Sequence, residues 1–431
     1  VKLITLAARN LTRNRRRTAI SLAALVLGVC VMVLLRAYIN GQQRVTQDGV
    51  VQGNLGAVVI NKKGYQANVQ SSPLTLDMAD SEELRKRIAS VEGVKALTAR
   101  IAFGAMLSMP DTQAEGQPPP ASEEDEGAGK TTFLYMTAFD PKLEAQVTPR
   151  RMDWLGTGSF LTSVDASEMM LNADMARSLG TQVMSLQSPP PEDQWPALLA
   201  SDRDGVLNGE GVKLSGTLVS ATPGDRRLGY VPLATAQRLL RMEGRVTEYA
   251  LALNQLEDAP RVRDALKAQL GADYEVHTWD EVQPYVAELL KQEDSLFGII
   301  IFIFLFVVLL GVVNVMLMNV LERVREIGTM LAVGMRRRHI ISLFLMEGAV
   351  LGLLGGVIGA LVGYALTLWL NQKGIRIPAP GASVDSIIRP VIPLTYLVRA
   401  TVVAIVGASL AALWPAYRAS RLRPVEALST S

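Results

Sequence analysis

Three features of this 431-residue sequence carry residue types that chemistry uses, and in each the spacing points away from catalysis. Gly129-Lys130-Thr131 imitates the end of a phosphate-binding loop. The leading glycine is replaced by Glu124, no apolar strand precedes it, and the neighbouring acids would repel phosphate. The histidines, His277 and His339, lie far apart without companions at metal-ligand spacing, and read as ordinary surface or interface residues. Cys30 is the single cysteine and sits inside an apolar run, so neither an intrachain disulfide nor a thiolate metal site can be built. Carboxylates and serines are plentiful, yet no acid pair or nucleophile–base spacing stands out. What remains is a charge-dense stretch, Leu321–His339, with two acids, five arginines and the glycines Gly328 and Gly334.

The elements that hold this stretch are two long apolar runs, Ser295–Val320 and Ile340–Leu370. Each exceeds the about 20 residues needed to cross a bilayer. A cation-rich connector this short sits at one membrane face, and its arginine excess assigns that face to the cytoplasm. Ile327, Met330, Leu331 and Val333 recur at near-helical spacing, which predicts a short amphipathic helix at the interface. The alternative is a plain loop whose arginines only set topology. Near the start, Lys2, Arg9, Arg13, Arg15, Arg16 and Arg17 precede the apolar Ala19–Leu35 with no acid among them. No A-x-A-like cleavage site follows, so this is read as an uncleaved first span with its N-terminus inside.

A hydrophobic share of 49% and a mean hydropathy of +0.22 are too apolar for a typical soluble protein, while 19% charged residues is too many for an all-membrane chain. A net charge of +2 without a basic, aromatic-interleaved patch gives no support to nucleic-acid binding. The predicted fold class is an α-helical membrane protein with four transmembrane helices and a large α+β extracytoplasmic domain. The predicted division is a cytoplasmic amphipathic segment (1–17), span one (18–40), a periplasmic domain (41–294), span two (295–320) and a cytoplasmic segment (321–339). Span three (340–370), a periplasmic loop (371–393), span four (394–417) and a cytoplasmic tail (418–431) complete it.

Within the outer domain, Ala57–Asn61 reads as a strand, followed by a helix from Asp80 to Val91 with Asp80 at its N-cap and Glu83 closing a box-like pair. Val94–Ser108 is strand again. The order recurs late: Glu248–Leu253 as strand, a helix capped by Asp258 and stopped by Gly271, then Tyr274–His277 as strand. Two β-α-β units separated by a middle portion predict an α+β domain with small mixed sheets. Pro110–Lys130 is too acidic and proline-rich to bury a core, and Ser188–Pro196 reads as a stiff connector.

In the spans, Gly348, Gly352 and Gly356 recur at four-residue spacing, with Gly355, Gly359 and Gly363 on an adjacent stripe. Both stripes permit close helix approach, and Asn314 of span two is read as a helix–helix hydrogen-bonding residue. Glu347 is expected to favour the positive end of its helix dipole. No polar stripe suggests a pore, which argues against a channel or a secondary transporter.

Glu322-Arg323-x-x-Glu326-Ile327-Gly328, Gly334-Met335-Arg336-Arg337 and Phe344-Leu345-Met346-Glu347-Gly348 resemble the signature of the FtsX-like permease family, which includes MacB-type and LolC/LolE-type ABC transporter permeases. Trp414-Pro415-Ala416-x-x-Ala419-Ser420 and Pro424-Val425-Glu426-Ala427-Leu428 resemble its C-terminal pattern, and Thr278-Trp279-Asp280-Glu281 resembles the lipoprotein-releasing branch. The resemblance implies a MacB-like porter module with an inserted subdomain at roughly 110–245. It implies that Glu322, Arg323, Glu326, Ile327, Gly328, Gly334, Arg336 and Arg337 couple to a cytoplasmic ABC ATPase dimer. On this reading the chain is a non-catalytic, multi-pass subunit of the inner membrane with both termini cytoplasmic. It binds no cofactor of its own, ATP and Mg belonging to the ATPase. A second permease subunit, identical or paralogous, completes the membrane part. The expected function is release of lipoproteins, handed to a periplasmic carrier or adaptor. The alternatives are MacB-like export of peptides or small hydrophobic molecules and FtsX-like activation of an external hydrolase.

Overall fold

The computed structural model describes residues 15–71, 74–110, 131–181, 183–184, 189–219, 226–377 and 386–421. The amphipathic N-terminal segment (up to residue 14), the acidic stretch with its loop-like ending, and Pro424–Leu428 lie outside the described residues. The chain divides into two units, one of residues 1–45, 288–376 and 387–431, the other of 46–287 and 377–386.

In the first unit the long helices are Arg15–Val50, Pro284–Glu322, Arg337–Lys373 and Leu394–Ser420, and the chain has four helices long and apolar enough to cross a membrane among the described residues. The first two run well past their apolar stretches. Residues 41–50 (GQQRVTQDGV) are polar but contain no proline, so the helix continues where the lipid-matching run has stopped. Burial is uneven: 39% of the apolar window of the first and third helices is buried, 33% of the fourth and 6% of the second.

The second unit is built on strands β1 (Val58–Lys62), β2 (Met78–Ala79), β3 (Val94–Ser108), β4 (Thr131–Phe139), β5 (Leu155–Gly158), β6 (Glu168–Asn172) and β7 (Ala197–Ser201). They are followed by β8 (Leu207–Gly211), β9 (Lys213–Leu218), β10 (Leu228–Pro232), β11 (Arg245–Val246), β12 (Glu248–Leu253) and β13 (Tyr274–Thr278). All but β2 and β11, which pair with each other, join one 11-stranded sheet ordered β13-β1-β12-β3-β4-β10-β6-β9-β5, with β7 on β3 and β8 on β7. The two β-α-β units therefore interleave rather than form separate small sheets: β12 lies between β1 and β3, and β1 between β13 and β12, all antiparallel. β3 carries the insert. Its first half pairs with β12, and beyond Arg100 its edges are taken by β4 and, at Met106–Ser108, by β7.

Helices Glu82–Ala89 and Ala259–Leu270 cover this sheet through Ile88, Val262 and Leu266, each fully buried against Val58, Ile60, Ile101, Leu251 and Val276. Each such side chain contributes about 1.5–3 kcal/mol relative to exposure. The cap of the first helix is Ser81, whose Oγ accepts from Leu84 N at 3.1 Å, and not Asp80. Asp80 stands one residue too early to reach those amides. Its carboxylate instead takes Arg85 at 2.7 Å and the Tyr249 hydroxyl at 2.7 Å. Gly271 stops the later helix with φ +85°, as read from sequence, while Asp258 occupies the N-cap without a side-chain capping bond. Trp279 is a buried residue whose N–H donates to Ala57 O at 3.1 Å, and Val58 pairs with Thr278. Strands β1 and β13 are thus neighbours in the sheet.

Candidate functional site

The second long helix stops at Glu322, and Arg323 (φ −105°, ψ 15°) breaks the backbone before the helix Val324–Ala332. That helix ends in a Schellman turn. Gly334 takes φ +95°, its N–H donates to Leu331 O at 3.0 Å, and Met335 N–H donates to Met330 O at 3.0 Å. Arg336 is extended and the third helix begins at Arg337. Ile327 and Gly328 are buried, Ile327 among Val320, Ile340, Phe344, Ala416 and Ala419, so one face of the short helix is fixed under the ends of three long ones.

The charged residues separate into two groups. Arg323 Nε is 2.9 Å from Glu326 Oε2, and Arg323 Nη1 is 3.7 Å from Oε1 of Glu347, which is buried. Glu347 is ten residues into the third helix, beyond the first turn over which the dipole acts, so its charge partner is Arg323 rather than the helix terminus. Glu322 is exposed. At the other end, Thr329, Met330, Val333, Gly334, Met335, Arg336 and His339 line an open cleft of about 720 Å³, with Arg337 exposed beside them. Val333, read from sequence as part of the packed face, is 90% exposed, because the Schellman turn ends the helix at Ala332. Of the sequence-selected residues, Ile327 and Gly328 are brought into packing, Arg323 and Glu326 into an internal pair, and Gly334 and Arg336 onto the cleft. Thr329, Val333 and Met335 are lining residues that the sequence reading does not select, and His339, read as a surface or interface residue, lines the cleft with them. The signal that could have found them is Gly334: a glycine after an apolar-periodic stretch marks C′, which ejects the residue before it from the helix face.

The two glycine stripes of the third helix meet two different partners. A Cβ on Gly348 or Gly352 would lie 2.8 or 2.7 Å from the carbonyl oxygens of Ala408 and Ala404, and one on Gly356 would lie 3.2 Å from Thr401 Cα, all in the fourth helix. On the adjacent stripe, Cβ atoms at Gly355, Gly359 and Gly363 would lie 2.7 Å from Leu25 Cβ, 2.7 Å from Val26 O and 2.9 Å from Val33 Cβ in the first helix. Asn314 is exposed in this chain and makes no such contact; Asn319, five residues on, is the buried asparagine of that helix. Among the described residues no group of three or more His, Cys, Asp or Glu could hold a metal ion. His277 Nδ1 lies 3.4 Å from Glu281, and His339 is on the cleft.

Comparison with known proteins finds two family matches along the chain. Residues 18–269 match the MacB-like periplasmic core domain and residues 298–424 the FtsX-like permease C-terminal domain. The macrolide export ATP-binding/permease protein MacB of Nitrobacter winogradskyi is 25% identical over 421 residues, covering 96% of this chain and 58% of that protein. The lipoprotein-releasing system transmembrane protein LolC of Xylella fastidiosa is 26% identical over 213 residues, covering 47% of this chain and 51% of that protein. The chain thus spans between half and three-fifths of the length of these two relatives. The crystal structure of the periplasmic region of MacB from Actinobacillus actinomycetemcomitans aligns over 57% of this chain with 10% identity and a TM-score of 0.34. With four apolar helices, a large α/β domain and family matches over both, the chain belongs to the family of permeases that join a MacB-like periplasmic core domain to an FtsX-like C-terminal domain.

Proposed function

We propose that the chain is the membrane subunit of an ATP-driven ABC transporter that acts on a substrate at the outer face of an inner membrane. The observation that carries this is the turn between the second and third helices. Its buried face (Ile327, Gly328) is fixed beneath the long helices, while Val333, Met335, Arg336 and His339 present an apolar and basic surface. Such a surface suits docking of a cytoplasmic ATPase dimer, with ATP and Mg held outside these 431 residues. In this reading the arginines keep the turn, and both termini, on the cytoplasmic side. A second permease subunit, identical or paralogous, completes the membrane part, and the MacB-like domain moves on the periplasmic side.

Lipoprotein release is the first reading of the substrate. Each buried methylene anchors an acyl chain by about 0.8 kcal/mol, so a multiply acylated protein needs driven extraction. The LolC relative supports it. Export of a small hydrophobic molecule is the second reading, favoured because the MacB relative aligns along 96% of the chain and the LolC relative along 47%. Tagged full chain, purified from its native membranes after growth in radiolabelled palmitate, tests both levels. ATP hydrolysis should co-purify and fall at least about tenfold, or 1.4 kcal/mol, in Val333→Asp. Hydrolysis that is absent, or unchanged in that variant, would reject the ATPase-docking reading. Acyl-labelled protein released on ATP addition supports the first substrate; ATP-driven efflux of a labelled macrolide without acyl label supports the second.

A further inference from the structure

The first long helix does not fray where it enters the outer unit. Past Val50 the backbone widens into a π-turn, Val51–Leu55, closed by Gly56 with φ +92°. A helix end leaves carbonyls without intrahelical donors, and here two buried arginines take them. Arg151 Nε donates to Gly53 O at 3.0 Å and its Nη2 to Asn54 O at 2.8 Å, while Arg100 Nη1 donates to Leu55 O at 3.0 Å. Both guanidiniums converge on Glu144: Arg100 Nη2 at 2.6 Å and Nε at 3.0 Å, and Arg151 Nη1 at 2.7 Å. Thr148 Oγ1 donates to the same carboxylate at 2.7 Å, and Glu248 takes Arg100 at 3.1 Å. The Arg151 guanidinium also lies 5.0 Å from the Phe139 ring centre and 4.8 Å from that of Tyr230. The side chains of Arg100, Glu144 and Arg151 are at most 3% exposed. Trp154 lies against Gly53, where a side chain would displace the indole.

Buried ion clusters are poor sources of stability, since apolar residues of equal volume commonly serve as well. What this one supplies is direction. Two cations complement the negative end of the helix, and each planar guanidinium fixes a carbonyl and a carboxylate at once, which an apolar contact cannot do. Through Arg100 on β3, Glu144 and Arg151 in the segment that follows β4, and Glu248 on β12, the end of the helix is held to the sheet.

We propose that Arg100 and Arg151, neutralised by Glu144 and Glu248, are positioning residues that lock the end of the first helix to the sheet, so that ATP-driven displacement of that helix enters the outer domain through them. This rests on the ATP-driven reading above. The test is hydrogen exchange on the full chain in nanodiscs, bound to the ATPase with which it purifies, with and without Mg-ATP and vanadate, comparing wild type with Arg151→Lys. Lysine keeps the charge beside Glu144 but cannot hold two carbonyls and a carboxylate in one plane. In wild type, amides 51–57 should exchange as slowly as 94–100. Arg151→Lys should speed exchange at 51–57 at least about tenfold with 94–100 unchanged. It should also abolish the nucleotide-dependent change in β4 while hydrolysis stays within about twofold of wild type. Fast exchange at 51–57 in wild type would overturn the clamp. A preserved β4 response in Arg151→Lys would overturn its role in transmission. No nucleotide response in wild type would reject the ATP-driven reading and the transmission with it, while exchange at 51–57 would still judge the clamp.

Discussion

The seam glycines of the third helix bring backbone against backbone without involving a charge, whereas the end of the first helix is gripped by two arginines and two glutamates. The difference follows from the solvent each faces. Within a bilayer, lipid tails are as apolar as the helices, so association depends on fit, and small residues give the closest fit. In the outer domain, apolar burial already holds the fold, and the residual problem is a helix end whose carbonyls lack donors. Charge solves that where the guanidiniums can be fully paired. One region should therefore fail by steric intrusion and the other by loss of a single charge partner.

The largest effect is expected from Glu144→Gln, which leaves Arg100 and Arg151 buried without their shared carboxylate. Loss of about 3–5 kcal/mol is expected for breaking one side of such a cluster, read as a drop in the unfolding midpoint of the outer domain. The same residue sets an acid limit. Burial pushes the Glu144 carboxyl up, but Arg100, Arg151 and the hydrogen bonds from Arg100 and Thr148 outweigh it and hold it below the ordinary carboxylate range. A depressed folded value means stability that is present above the unfolded value, about pH 4.3, and is lost as pH falls through the folded one. Glu248 has the opposite sign: burial raises it, so its contribution is present below the unfolded value and lost as pH rises through the folded one. Acid titration of the domain should therefore show a limb below about pH 4 that Glu144→Gln flattens and Glu248→Gln does not. An unchanged limb in Glu144→Gln would assign acid sensitivity elsewhere.

Gly359→Leu comes next. Its Cβ alone would meet Val26 O at 2.7 Å, and a backbone carbonyl cannot swing aside. About 3 kcal/mol is expected, at the upper end for overpacking, measured by thermal melts in detergent. Gly355→Leu would meet Leu25 Cβ, also at 2.7 Å and moving only with its backbone, so a similar cost of about 3 kcal/mol is expected. Equal melting points for both and for wild type would show that the seam is not a close contact. Smallest is Phe302→Ala on the second helix, whose apolar window is 6% buried: under about 0.5 kcal/mol for the chain alone. A large loss in the assembled complex but not in the isolated chain would seat a second subunit on that face.

Much of this was legible because the signals are local. Strand Glu248–Leu253, strand Val94–Ser108 and the Gly271 stop rest on alternation and punctuation that tertiary structure did not override. The glycine stripes could be read from their spacing, though which helix each stripe meets could not. The misreadings have separate causes. Asp80 and Ser81 are both good caps, and the choice depends on Arg85 and Tyr249, the latter 169 residues from Asp80. Val333 was placed on the packed face because periodicity continued past the point where Gly334 ended the helix. The clamp was invisible because Gly53, Arg100, Glu144, Arg151 and Glu248 are scattered, and nothing in their neighbours marks them as buried.

At the turn after the second helix the same contrast can be decided between two substitutions. Glu326→Lys breaks an internal pair with Arg323, half-buried and worth about 0–1 kcal/mol. Val333→Asp alters a side chain that is 90% exposed and has no internal partner to lose in packing. The most direct measurement is the apparent affinity of the ATPase for the full chain in nanodiscs, compared across wild type, Val333→Asp and Glu326→Lys at one ionic strength. Docking on the Thr329–His339 surface predicts at least about tenfold weaker binding for Val333→Asp and a smaller change for Glu326→Lys. Wild-type affinity in Val333→Asp, with binding lost in Glu326→Lys, would contradict it and place the docking edge on the acidic side of the helix.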